Sequence, residues 1–460
     1  MRLAAQTIEQ LQADVARPEY GRSQAVGIVH FGIGAFHRAH QAAYTDACLN
    51  AGEQGWMIVG VSMRSPTVAD QLNPQDGLYT LKVRSAGDGE TRVIGSVAQV
   101  LVAAPDRAAI VDQLASADCH VVTFTVTEKG YCRAPDGSLD HTQAREGFYP
   151  ILCEALARRR DSGLAGLTLL SCDNLSGNGK QLQRLMLEWI QAEAPDLVQW
   201  FCDKCTTPDS MVDRIVPSTS VADIDELEGE TGLRDEGAVF TESFSQWVIE
   251  DRFAGPRPQW QEHGVQIVPD VTPFEAAKLR MLNGAHSLLA YAGLDRGHTF
   301  VHQAIADGEL RDLVRHLMIE EAAPTIDAGE GQDLAAYADE LVARFENPAL
   351  HHRLAQIAMD GSQKLGQRWL DTLAINQQRG RSCNAILTGI AHWLNHVSGD
   401  VRTVDDPHAQ ALLEVWQQAG QDGLVRTMFG EGGPMKSAWR PAVEDIATID
   451  RKLRSLRCGA

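Results

Sequence analysis

The sequence predicts an α/β protein, with a doubly wound domain over residues 1–270 and a mainly α-helical domain over residues 271–460. Three observations predict it. Short β-branched runs alternate with helical patterns through the first two thirds of the chain, as they do where parallel strands are covered by helices on both faces. Two glycines, Gly32 and Gly34, stand directly between the first of these runs and the first helical pattern. From about residue 271 the strand signals stop and helical patterns follow one another. At 460 residues the chain is also too long for one ordinary hydrophobic core.

Each element has its own warrant. "VGIVHF" (26–31) is a strand by its β-branched content and leads into "FHRAHQAAYTDACLNAG", which reads as a helix. "WMIVGVS" (56–62) is the second strand, and "LYTLKVR" and "TRVIGSVAQVLVA" read as further strands. "AAIVDQLASA" has helical spacing, "CHVVTFTVT" (119–127) is a β-branched strand, and "LTLLSCD" is another. The later helices are "FEAAKLRMLNGAHSLLAYAGL", "LRDLVRHLMIEEAA", "LAAYADELVARF", "HRLAQIAMDGSQKL" and "AILTGIAHWLNHV".

Charge and composition exclude several roles. Lys plus Arg number 41 and Asp plus Glu 61, a net charge of −20 that repels nucleic acid and anionic membranes. No run of apolar residues is long enough to span a bilayer, and the N-terminus lacks the apolar core of a signal peptide. The nine cysteines are scattered, so reduced thiols and a cytoplasmic location are expected. "CDKC" (202–205) has no second pair, and His37 and His40 lie on a helix where bulky polar residues can pack or cap. No metal is therefore expected, although a metal-dependent hydrolase or lyase built on these residues is a rival reading.

The position of Gly32 and Gly34 at the first β–α junction points to a dinucleotide site of the Rossmann type. Glycines there let the backbone approach a pyrophosphate, and the following helix start favours negative charge. The cofactor contacts expected are Gly32, Ile33, Gly34, Ala35 and Phe36 in this turn, with Thr125 and Thr127 at the end of a later strand. His37 replaces the third glycine of the usual pattern. The second strand ends in "VGVSMRSP", with Ser62 and Arg64 where an acid would bind the ribose of NAD. Arginine there suits the 2′-phosphate of NADP, so residue chemistry leaves the cofactor choice open.

Hydride transfer from an alcohol needs a group to take the hydroxyl proton. No tyrosine has a lysine four residues on, which removes one common solution. A lysine with its pKa lowered by burial is another, and "PFEAAKLRMLNGAHSLL" supplies it. On an α-helix Lys278, Asn283 and His286 would fall within an arc of roughly 140°, with Glu275 one turn before Lys278. A solvated face or an Asn-Gly turn is the plainer alternative. Asn174, in "SCDNL", follows a strand whose end should face the cofactor. A non-catalytic NAD sensor would share all these features.

With these residues in view, the chain resembles the mannitol dehydrogenase family of long-chain polyol and sugar-acid dehydrogenases. The motifs are "FGIGAFHRAHQAAYTD", "TVTEKGYC", "SCDNL", "MVDRIVP", "QWVIEDRF", "KLRMLNGAHS" and "QIAMDGSQKL", spread over most of the chain. The resemblance is strongest to the family's fructuronate reductases, with its mannitol 2-dehydrogenases near. It implies a zinc-independent enzyme that uses NAD and acts on a sugar acid or polyol; a monomer is expected, although the sequence does not fix the oligomeric state. By the same resemblance Lys278 is the base, Asn174 and Asn283 position the reacting oxygen, and Glu275 serves proton passage. His286, Asp213 and Lys364 match substrate-contacting positions, and Arg214, beside Asp213, is a second candidate cation for an acidic substrate. Gln356 stands where some mannitol-oxidising members carry an arginine, a departure that weighs against a polyol.

Overall fold

A computed structural model describes residues 1–84 and 89–458, with the side chains of 421 and 422 excepted. The chain divides into two compact units, Met1–Val271 and Thr272–Ala460.

The strands of the first unit are β1 (Ile28–Phe31), β2 (Ile58–Ser62), β3 (Tyr79–Val83), β4 (Thr91–Ile94), β5 (Val97–Val102), β6 (Val121–Phe124), β7 (Thr168–Ser171), β8 (Ser210–Asp213), β9 (Val239–Thr241), β10 (Gln246–Glu250) and β11 (Gln266–Val268). A five-stranded sheet runs in the order β5-β2-β1-β6-β7 with every neighbouring pair parallel. The chain thus moves outward from β1 to one edge, then returns to build the other half from β6. That reversal between β1 and β6 is where doubly wound sheets open a ligand crevice at the carboxyl ends of their strands. Every residue of β1, β6 and β7 is buried, as expected of strands covered on both faces. Phe31, Phe124 and Leu152 belong to one core cluster, and Ile28, Val121 and Trp247 to another.

Residues 91–103, read as one strand, form two strands in different sheets. β4 pairs antiparallel with β3, in a small sheet that β9 completes, whereas β5 joins the central sheet beside β2. The break falls at Gly95, whose N–H donates to the Asp46 carboxylate and whose carbonyl accepts from Arg22. A side chain there would strike Pro18 at 2.7 Å. The strand read over 119–127 stops at Phe124, because the amides of Val126 and Thr127 are taken by the Asp173 carboxylate. The helix read from residue 36 onward is two helices, Ala35–Ala39 and Gln41–Asn50, separated at His40.

The second unit is helical and wraps a core that includes Leu288, Trp369 and Trp393. Its first helix is not a uniform α-helix. Thr272–Ala277 and Gly284–Asp295 are α-helical, while Lys278–Asn283 between them is π-helical. Two more π-helical turns, Leu317–Ala322 and Gly366–Leu370, pack against this one. π-turns are rare and concentrate at functional sites. The stretch read as one helix over 352–365 breaks at Asp360, which takes a left-handed conformation with φ of 55°.

One buried acid gives this unit a pH signature. Glu321 is 1% exposed and caps the helix Asn384–Val397, accepting from Ala385 N at 2.6 Å and Ile386 N at 2.9 Å. Burial nevertheless pushes its carboxyl from the ordinary 4.5 up to about 7, against those two bonds. The folded state therefore holds the proton more tightly than the unfolded state. Its contribution is fully present below about pH 4.5 and is lost as pH rises through 7, up to about 3 kcal/mol in all. Glu321→Gln should flatten the fall in denaturant stability between pH 5 and pH 8. A wild-type and variant pair with the same pH slope would refute this.

Candidate active site and cofactor cleft

In the first unit the turn after β1 is built around Gly32. Its φ is +92°, and a Cβ there would lie 2.2 Å from the Thr125 carbonyl oxygen, so only glycine fits. Thr125 Oγ1 donates to the Gly32 carbonyl at 2.8 Å, tying the ends of β1 and β6 together. Ile33 is buried against Gly60, where a Cβ would meet the Ile33 side chain at 2.1 Å. Gly34 differs from Gly32. Its backbone is extended, and a Cβ would meet only the Gly32 carbonyl, at 3.8 Å. Ala35 begins the next helix, and Phe36 stacks on His40 with ring centroids 5.0 Å apart. That helix is five residues long, so attraction for a pyrophosphate must rest on the loop amides more than on a helix dipole.

Two histidines lie under this turn. His30 bonds Thr123 Oγ1 at 2.7 Å and Thr125 Oγ1 at 2.9 Å, and burial lowers its pKa to about 3. Its ring stacks on that of His37 at 3.4 Å. His40 bonds the Gln246 carbonyl through Nε2 at 2.9 Å and the Gln41 amide through Nδ1 at 2.9 Å. Both His40 nitrogens are thus committed within the fold. Cys202 is exposed, Cys205 is buried, and neither forms a disulfide. Among the described residues no three His, Cys, Asp or Glu side chains gather as metal ligands.

A cavity of about 690 Å³ opens beside the turn, lined among others by Gly32, Ser62, Arg64, Thr125, Thr127 and Lys129. It sits at the carboxyl ends of β1, β2 and β6 and contacts the glycine that no side chain could replace. These residues fit a dinucleotide.

Asn174 stands one residue after a clamp that the sequence reading did not single out. The Asp173 carboxylate accepts from Val126 N at 3.1 Å, Thr127 N at 2.8 Å and Tyr131 Oη at 2.8 Å. Asn178 donates to the Asp173 carbonyl at 3.0 Å and to the Ser210 carbonyl at 2.8 Å. The loop carrying Asn174 is thereby fixed from β6, β7 and β8. An acid directly before a candidate asparagine was the available signal. Asp213 ends β8 and is buried. Arg214 donates to the carbonyls of Ala39 and Glu242, and burial lowers its pKa to about 10. A guanidinium so engaged is a brace first, which weakens its case as a substrate cation.

In the second unit Lys278 opens the π-turn and Asn283 closes it. The α-helical arc assumed from the spacing therefore does not apply, since the backbone here bonds five residues back. Glu275 lies on the preceding helix, and Lys278 and His286 are buried. Burial, then His352, Arg344 and Arg368, hold the His286 pKa well below its ordinary value, so the ring is neutral at neutral pH. Lys364 donates to the Met359 carbonyl at 2.7 Å and lies 3.6 Å from the Asp360 carboxylate. Its pKa is lowered by burial and then by Arg368. Arg368 was missed in the sequence although it stands four residues after Lys364. It donates to Ser287 Oγ at 2.8 Å, and Trp369 donates to the Gly284 carbonyl at 3.1 Å, docking this segment on the Lys278 helix.

The fold and this set of residues define a Rossmann-type oxidoreductase with a helical second domain. The chain belongs to the mannitol dehydrogenase family. Residues 26–262 match the mannitol dehydrogenase Rossmann domain, and residues 270–431 match the mannitol dehydrogenase C-terminal domain. It is 40% identical to D-mannonate oxidoreductase of Escherichia coli (strain K12), over 93% of this chain and 92% of that one. It is 36% identical to mannitol 2-dehydrogenase of Phaeosphaeria nodorum, over 94% of this chain and 80% of the relative. The solved ternary complex of Pseudomonas fluorescens mannitol 2-dehydrogenase with NAD and D-mannitol matches at a TM-score of 0.83 and 34% identity, covering 100% of this chain and 97% of that one.

Proposed function

We propose that this chain is a zinc-independent, NAD-dependent oxidoreductase that interconverts the secondary alcohol of D-mannonate and the ketone of D-fructuronate. The observation that carries the sugar-acid reading is the cationic group in the second unit. Arg344 and Arg368 act on His286, and Arg368 acts on Lys364, within a chain of net charge −20. Such a group favours a carboxylate, whereas a neutral polyol gains little from it. The 40% sequence identity to the Escherichia coli D-mannonate oxidoreductase supports the same substrate, and the NAD held by the Pseudomonas fluorescens structure supports the cofactor.

NAD bound beside Gly32 and Gly34 supplies a hydride acceptor at its nicotinamide C4. In oxidation Lys278 takes the hydroxyl proton, and in reduction it returns it. Asn174 and Asn283 donate N–H bonds to the same oxygen as negative charge develops on it. Glu275 passes the proton onward from Lys278. His286, kept neutral, offers one donor and one acceptor to substrate hydroxyls. Asp213 accepts from another hydroxyl, and Lys364 meets the carboxylate.

The test is a panel of fructuronate, tagaturonate, fructose and xylulose with NADH, repeated on Lys364→Met. The variant should raise KM for fructuronate about tenfold or more, the worth of a charge-assisted contact, and leave KM for fructose nearly unchanged. Equal effects on both would remove Lys364 from carboxylate recognition. The fold match to the mannitol-bound structure favours a second reading, a mannitol 2-dehydrogenase or an arabinitol-type polyol dehydrogenase. Higher kcat/KM on fructose than on fructuronate would select it.

A further inference from the structure

Val126 and Thr127, on the wall of the cleft just beyond β6, have unusual backbones. Val126 has φ of −95° and ψ of 0°, and Thr127 has φ of 65°, in the left-handed region. A β-branched residue rarely takes that region, because its side chain crowds the neighbouring carbonyl. A left-handed residue after a near-helical one turns successive amides to the same side, forming a concave nest that draws an anion. Here the anion is the protein's own. The Asp173 carboxylate accepts from both amides, at 3.1 and 2.8 Å, and a third bond comes from Tyr131 Oη at 2.8 Å. Tyr131 Oη also lies 2.6 Å from Ser171 Oγ, at the end of β7. Burial raises the Asp173 pKa despite these bonds, so the charged carboxylate is held there at a cost in stability.

The backbone of the same residue is tied from the other side. Its carbonyl accepts from Asn178 Nδ2 at 3.0 Å and from Leu175 N at 2.8 Å. Asn178 also bonds the carbonyl and the amide of Ser210, at 2.8 and 2.9 Å. The side chain of Asp173 thus fixes the stretch that carries Thr125 and Thr127, while its backbone fixes the loop that carries Asn174.

We infer that Asp173 is a positioning residue for hydride transfer, whose carboxylate holds the strained turn at Thr127 and keeps the cofactor wall beyond β6 in register with the loop of Asn174. The inference rests on the roles proposed for the cleft and for Asn174. Transfer between two bound molecules is sensitive to alignment, and a misplacement of about 1 Å can cost on the order of a hundredfold in rate. An anchor that costs stability yet holds two parts of one site together answers that sensitivity. A carboxylate suits the place because it only accepts, whereas an asparagine would turn its NH2 group against one of the two amides.

Single and double variants of the full chain test this, with NADH and the best ketone of the panel above. Asp173→Asn should lower kcat by about ten- to a hundredfold. Its calorimetric affinity for NAD⁺ should change far less, and the primary isotope effect from NADH deuterated at C4 should rise, because the hydride step slows while binding does not. Tyr131→Phe removes one of the three bonds and little volume, so it should show the same pattern more weakly and does not depend on Asp173→Asn folding. Glycine takes the left-handed region without an anchor, so Thr127→Gly added to Asp173→Asn should restore kcat by about threefold or more. A purely structural role would lower the thermal midpoint and leave kcat and the isotope effect of the folded enzyme unchanged. That result in Asp173→Asn, or in Tyr131→Phe where Asp173→Asn does not fold, would overturn the inference. So would a double variant whose losses are simply those of its two single variants combined. If the wild type reduces no ketone of the panel, the functional reading falls, and the inference with it.

Discussion

Replacing Lys278 with alanine should lower kcat by about two to four orders of magnitude, the usual worth of general acid–base catalysis. A lysine in water titrates near 10.4, too high to act as a base at neutral pH. Lys278 is 9% exposed and opens the π-turn. Binding of NAD⁺ should survive in the variant, because the lysine acts on the reacting oxygen and the dinucleotide turn lies at Gly32 and Gly34. Small primary amines should restore part of the lost rate by occupying the vacated space as free bases. Glu275→Gln should be milder and should change the pH profile of oxidation. Retention by Lys278→Ala of more than about a tenth of wild-type turnover would end Lys278's candidacy.

The second large effect is expected at Gly34. A valine there should weaken NAD⁺ by at least about a hundredfold, roughly 2.7 kcal/mol, with thermal stability nearly unchanged. The two halves of this expectation have different causes. The backbone at Gly34 is extended, a conformation that β-branched residues favour, and a Cβ finds only the Gly32 carbonyl, 3.8 Å away. The fold therefore tolerates a side chain, while a pyrophosphate resting against the turn does not. Gly32 is the wrong position for such a test. A Cβ there would collide with Thr125 at 2.2 Å, so loss of binding would mean only loss of structure. Calorimetry on Gly34→Val showing wild-type affinity would move the cofactor elsewhere.

Four strands of the parallel sheet, β1, β2, β6 and β7, were legible because they are short apolar runs that end at or just before a glycine or polar residue at a β–α junction. Gly32 was legible for the same reason. Residues 91–103 were not, since a continuous apolar run does not announce which sheet each half joins; Asp46 and Arg22, far away in sequence, make that choice at Gly95. Arg214 looked available because a sequence does not show which carbonyls its side chain will meet. The π-turn was hidden for a subtler reason. Local side-chain spacing is compatible with both helical forms, and packing against Leu317–Ala322 and Gly366–Leu370 accompanies the wider one.

That wider turn sets the phase of everything around it. The helix from Thr272 to Asp295 is two α-helical segments joined by a stretch in which the backbone bonds one residue further back. Glu275 lies before the phase change, His286 after it, and Lys278 and Asn283 mark its ends. Each residue's heading is thus a property of the joint as well as of its own position. The joint is a miter cut in a rod: trimming it by one residue would leave the rod straight and sound, yet point its two halves at different targets.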